Sequence, residues 1–211
     1  MIKIYYEDTE FLVCEKPYGI SSQKSEKENL VDILSKQVNS EIYPIHRLDI
    51  GTTGLIVYAK NQHSAGALSK QIVEGVFKKA YICLCHGITE KEGKMRDFLY
   101  HDRLKNKSFV VKNKRGSAKE AILEYSQIGV DMEKQLSLLK IRLYTGRTHQ
   151  IRVQLSSRGF VLYGDGKYGA KDNDKIKLHS YEIELINPKS NEKMIFKSLP
   201  EWAEQRIVKP F

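Results

Sequence analysis

The sequence predicts an α+β fold built on a mixed, mostly antiparallel β-sheet flanked by helices and loops. Three observations carry this reading. Strand-like stretches dominate, two of them alternate apolar and polar residues with a period of two, and strands and helices do not alternate as a doubly wound parallel sheet requires. Strands are expected at residues 2–6, 11–15, 55–60, 80–86 and 120–128. In 139–144, Leu139, Ile141 and Leu143 interleave with Lys140 and Arg142; in 181–185, Glu182 and Glu184 separate Tyr181, Ile183 and Leu185. Each of these two reads as a half-buried strand. Helical pattern is confined to 30–38, 61–74, 148–157 and 201–207. On the third of these, Ile151 and Leu155 lie one turn apart and can pack inward, while His149 and Arg152 share a different face at i, i+3.

The 211 residues fit one domain, expected over 1–211, with no repeat or low-complexity linker to divide it. A content of 41% apolar and 29% charged residues is that of a folded protein rather than a disordered chain. With 35 Lys+Arg against 26 Asp+Glu the formal net charge is +9, which points to an acidic partner. The apolar run GLIVYA, 54–59, is far short of the roughly 20 residues that cross a bilayer. The first residues carry charges at Lys3, Glu7, Asp8 and Glu10 and no cleavage site of the secretory type, so a cytoplasmic chain without a membrane partner is expected. Cys14, Cys83 and Cys85 are odd in number and set among hydrophobic neighbours, which predicts free buried thiols. No CxxC or HExxH is present, and no metal site is expected.

Charge is concentrated between 101 and 119, where Arg103, Lys105, Lys107, Lys112, Lys114, Arg115 and Lys119 stand against one acid, Asp102. Such a run is either a solvated hairpin or loop, or a contact to a polyanion. The segment Gly164-Asp165-Gly166-Lys167-Tyr168-Gly169 satisfies GxGxxG, but the loop-like AKDND that follows is not the helix a dinucleotide site requires. It reads as a tight turn, and no nucleotide cofactor is expected. Two polar clusters remain. In YPIHRLDIGTTG, 43–54, Asp49 before Gly51 suits a turn or cap; a carboxylate held there beside a cation would also stay ionised, as a nucleophile or general base must. In YTGRTHQIRVQL, 144–155, a strand ends and a helix begins, a place where free backbone amides and aimed side chains make sites. The second cluster is either a basic exposed face or part of a nucleic-acid site.

HRLDIGTTGLIVYAK (46–60) and TGRTHQIRVQLSSRGFVLYGDGKYG (145–169) resemble the two signature segments of the RluA-type RNA pseudouridine synthases. KAYICLCHG (79–87) is similar to that family's tyrosine motif, KPYG (16–19) to its first motif and LHS (178–180) to its C-terminal one. The resemblance implies the pseudouridine synthase fold and the isomerisation of specific uridines to pseudouridine in large-subunit ribosomal RNA, transfer RNA or both. It also implies a reaction that needs no cofactor. It implies Asp49, Tyr81 and Arg152 as catalytic residues, with Arg152 paired to the aspartate and Arg47 holding the target nucleotide out of its stack. His46, Arg147 and His149 are further candidate RNA contacts, as are Arg103, Lys105, Lys112, Lys114 and Arg115. Whether Asp49 attacks the uracil, attacks the ribose or removes a ribose proton stays open. Thr53 stands where the family usually has serine, and Gln154 where histidine is frequent. The small N-terminal RNA-binding module of many members is expected to be missing. The alternative is a non-catalytic RNA-binding or ribosome-assembly protein on the same scaffold.

Overall fold

A computed structural model describes residues 1–114 and 116–207, so Arg115 of the basic stretch lies outside the described residues. The chain first forms β1 (Ile4–Glu7), β2 (Phe11–Lys16), α1 (Leu30–Gln37), β3 (Tyr43–Pro44), β4 (Thr53–Ala59) and α2 (Gln62–Val73). Next come β5 (Lys78–His86), β6 (Glu92–Asp102), β7 (Lys107–Val111), β8 (Lys119–Asp131) and β9 (Leu136–Leu143). After α3 (Gln150–Ser156), the chain ends its described part with β10 (Leu178–Ile186), β11 (Lys193–Lys197) and α4 (Glu201–Ile207). All seven expected strands and four expected helices are present within a few residues of their expected bounds. The short β3, and β6, β7 and β11, are strands that the sequence pattern does not reveal.

The residues fall into two compact units: 1–79 with 179–200, and 80–178 with α4. In the first unit the strand order is β1-β2-β4-β10, with β3 also on β4 and β11 on β10. Every pairing there is antiparallel except β4 with β10, where Thr53 stands opposite His179 and Gly54 opposite Ser180 in parallel. The core comes from alternate positions of three strands: Phe11 and Val13, Leu55 and Val57, Ile183 and Leu185, closed by Leu68 of α2 and by Phe77. Each such side chain, fully withdrawn from water, contributes about 1.5–3 kcal/mol. Asn29 and Asn61 start α1 and α2 by accepting from the amides of Asp32 (3.1 Å) and Ser64 (2.8 Å), in each helix one of the four N–H groups its start leaves unpaired.

Close packing fixes one glycine. Gly54 has φ +102°, and a Cβ on it would lie 2.4 Å from the Ser180 carbonyl oxygen, so the parallel pairing requires a residue without a side chain.

The second unit carries β5-β9-β8-β6-β7, with β9 to β8, β8 to β6 and β6 to β7 antiparallel and β7 at the edge. α3 packs on β6 and β7, burying Val153 against Leu99 and Ala121 with Val110 and Tyr168 alongside. The GxGxxG segment is a turn, with Gly164 at φ +77° and Gly169 at φ +108° around a single 3-10 turn, Gly166–Tyr168. The three cysteines are free and buried. Among the described residues, no helix is long and apolar enough to cross a membrane.

Candidate active site

In the first unit the HRLD segment enters β4 through a loop that is tied down residue by residue. Leu48 is buried, its amide donating to Ser22 Oγ (3.1 Å) while that hydroxyl donates back to the Leu48 carbonyl (2.9 Å). Asp49, half-buried, begins a turn closed by the Thr52 amide donating to its carbonyl (3.0 Å). Beneath this turn lies Lys16, which has no exposed surface. Its ammonium donates to the carbonyls of Pro17 (2.9 Å), Ile50 (3.0 Å) and Thr52 (2.8 Å), so its three N–H groups meet three acceptors. Burial pulls its pKa down to about 8, against the pull of the nearby Asp49 carboxylate, which favours the charged form. Lys16 belongs to the KPYG motif, but nothing in the sequence marks it as the clasp of the Asp49 turn.

Arg47 is exposed. His46 is turned inward: Nε2 accepts from the Val57 amide (3.2 Å) and the ring lies 5.4 Å from that of Phe77. An Nε2 that accepts leaves the hydrogen on Nδ1. Burial, with Lys79 nearby, holds its pKa well below the usual histidine range, so the imidazole is neutral at pH 7. Thr53 Oγ1 lies 2.8 Å from His179 Nδ1, and His179 Nε2 lies 3.3 Å from Ser198 Oγ. The hydroxyl is what this contact uses, so threonine in place of the family's usual serine keeps it.

In the second unit Tyr81 lies buried in β5. Arg152 projects from α3 and binds Asp165 through two parallel bonds, Nε to Oδ2 and Nη2 to Oδ1, both 2.7 Å. The Asp165 side chain is 2% exposed and that of Arg152 11%. The Tyr168 ring lies 5.1 Å from the guanidinium carbon. Asp165 was not among the expected site residues; an acid inside a Gly-Asp-Gly turn is the signal that could have found it.

His149 departs from the expectation. It is not on a helix face with Arg152 but is the N-cap of α3, left-handed at φ 55°, with Nδ1 3.0 Å from Tyr168 Oη. The turn before the helix explains this: Thr145 Oγ1 (2.8 Å) and the Arg147 amide (3.0 Å) both donate to Gln150 Oε1, which bends the chain so that helix begins only at Gln150. Arg147 is exposed and its Nε donates to the Glu120 carbonyl (2.8 Å). Gln154, at the frequent histidine position, donates to Asp97 Oδ2 (2.7 Å) and so ties α3 to β6. Arg103 and Lys105 sit exposed in the β6–β7 turn, and Lys112 and Lys114 follow β7, also exposed.

The mixed, mostly antiparallel sheet is the fold of solved pseudouridylate synthases. The solved structures of human RNA pseudouridylate synthase domain containing 1 and 4 match it with TM-scores of 0.80 and 0.77, covering 95% of this chain and 84% and 89% of theirs, at 22% and 21% identity. At the level of sequence, residues 10–157 match the model of the RNA pseudouridylate synthase family. The chain belongs to that family, whose activity is the isomerisation of uridine in RNA. An uncharacterized RNA pseudouridine synthase of Mycoplasma pneumoniae is 33% identical over 208 residues, covering 93% of this chain and 66% of that protein. Ribosomal large subunit pseudouridine synthase C of Buchnera aphidicola is 32% identical over 212 residues, covering 93% and 66%. The chain thus spans about two thirds of the length of these relatives.

Proposed function

We propose that this chain converts specific uridines to pseudouridine in RNA, in large-subunit ribosomal RNA, transfer RNA or both, with Asp49, Tyr81 and Arg152 as its catalytic residues. The observation that carries the proposal is the family match over 10–157, which encloses all three. It also runs through parts of both units, in keeping with one catalytic domain over 1–211. The Buchnera relative's name favours ribosomal RNA as the substrate, and a cytoplasmic site of action follows from that substrate.

The chemistry fits these residue types. The N-glycosidic bond breaks, the uracil turns, and a carbon link forms with no net oxidation or reduction, so the amino acids suffice. Asp49 starts the reaction as an ionised carboxylate, and the Lys16 clasp holds the backbone that carries it. Tyr81 offers a ring to stack on the extruded base and a phenol oxygen to relay the proton lost from carbon. Extruding a base costs a few kcal/mol, least in single-stranded segments, and Arg47 and the other exposed cations offset it through phosphate contacts.

Asp49→Asn is expected to abolish tritium release from RNA labelled at uracil carbon 5 while leaving RNA affinity within about two-fold. Retained turnover would overturn the assignment of Asp49. RNA affinity without pseudouridine in any transcript exposed to the unaltered chain would favour a binding-only protein.

A further inference from the structure

The β6–β7 hairpin has two unlike faces. Its inner face carries Leu99, Ser108 and Val110 toward α3, with Ser108 Oγ donating to the Thr148 carbonyl (2.7 Å) and the Ser108 amide to Tyr168 Oη (2.9 Å). Its outer face sets Tyr100 directly opposite Phe109 and Phe98 opposite Val111. Tyr100 is 41% exposed and Phe109 37%, and Leu104 at the turn is wholly exposed. Directly opposed residues of an antiparallel pair have their Cβ atoms about 5 Å apart, so the two aromatic side chains start side by side on this exposed face. Lys107 Nζ lies 6.0 Å from the Phe109 ring centre. From 98 to 114 the acid is Asp102, whose Oδ1 already accepts the Lys105 amide (3.0 Å), while Arg103, Lys105, Lys107, Lys112 and Lys114 are cations.

We infer that this outer face is a stacking platform for unpaired nucleotides of the RNA substrate, the Tyr100 and Phe109 rings taking bases and the flanking lysines taking phosphates. The inference rests on the chain acting on RNA and adds a surface that holds that RNA. Exposed rings interleaved with cations are the physical signature of single-strand binding, because every base has a π-face and every nucleotide a charge. A duplex hides its base faces from such a surface. A second copy meeting this face would oppose like charges, which disfavours self-association through the β7 edge.

The test is equilibrium binding of a fluorescent single-stranded oligoribonucleotide, and of the same sequence in a duplex, to the full chain and to Tyr100→Ala/Phe109→Ala. Single-strand affinity is expected to fall about ten-fold for each ring removed. The slope of log affinity on log salt should stay the same, and Tyr100→Phe should bind like the unaltered chain. Lys112→Gln/Lys114→Gln should instead flatten that slope by about 0.7 for each phosphate no longer neutralised. Unchanged single-strand affinity in the folded double alanine variant, or an equal loss toward duplex, would overturn the platform. So would a concentration-dependent dimer of the unaltered chain that the double variant abolishes. Pseudouridine formation by the unaltered chain is measured alongside: if it is intact while the alanine variant binds normally, the platform fails and the proposed activity stands.

Discussion

Lys16 and Arg152 are two cations withdrawn from water by different means. Lys16 meets three neutral carbonyls, and burial therefore lowers its pKa to about 8. Arg152 meets a carboxylate with matching geometry, two bonds of 2.7 Å to Asp165. Removing one partner of a buried ion pair costs about 3–5 kcal/mol, more than the pair itself contributes, because the charge left behind loses its bonds. Asp165→Ala is accordingly expected to lower the free energy of urea unfolding by about 3 kcal/mol, and to lower turnover because the guanidinium loses its orientation. A variant as stable and as active as the unaltered chain would refute that role for Asp165. Asp49, Tyr81 and Arg152 stand out in the sequence as candidates because their neighbours form recognisable strings. Asp165 and Lys16 do not, since the contacts that define them are set by folding: Lys16 reaches carbonyls 34 and 36 residues away.

At the scale of elements, legibility followed the strength of the pattern. β9 and β10 alternate cleanly and β4 is an apolar run, and all three are plain in the sequence. β6 is not, because only Met95 and Leu99 of its eleven residues are buried, and a strand that presents most of its side chains to water reads as a polar loop. β7 lies inside the cationic stretch, whose charge masks a five-residue strand. Sequence pattern sets the α3 boundary two residues early because propensity cannot see the Gln150 side chain capturing the preceding turn. The β4–β10 pairing gives the prediction at this scale. Both Ser180 atoms near the would-be Cβ of Gly54 are backbone, the oxygen at 2.4 Å and the nitrogen at 2.7 Å, so no rotamer change relieves the clash. Gly54→Ala should destabilise the protein by about 3 kcal/mol or more. Gly19→Ala, also at positive φ but with nothing within 4 Å, should cost about 1–2 kcal/mol. Equal losses in urea unfolding would refute the steric argument.

For the whole molecule, His46 and His179 both weaken the fold in acid. His179 has its pKa lowered to about 4 by burial, and His46 is displaced in the same direction by burial. In each case the unfolded chain binds the proton more readily, so unfolding free energy rises with pH where only the unfolded form is charged, and is lost as pH falls from about 6.5 toward 4. His179 alone accounts for about 3 kcal/mol over that window. Unfolding by urea at pH 7 and at pH 4.5 should show the loss, and His179→Gln should reduce the difference. A stability independent of pH over this interval would contradict the burial argument. Lys16 has the same sign at the alkaline end, its penalty easing as pH rises from about 8 through 10.5.

The first unit is assembled from both ends of the described chain, and this has a temporal side. Thr53 and its partner His179 are separated by 126 positions, so on a ribosome making about 5–20 residues per second the β4 edge near Gly54 waits roughly 6–25 s for β10 to be synthesised. Throughout that interval the backbone groups of Thr53 and Gly54 that β10 will cover are open to other strands. A nascent chain halted before residue 178 should therefore bind a holdase chaperone and release it once β10 has emerged.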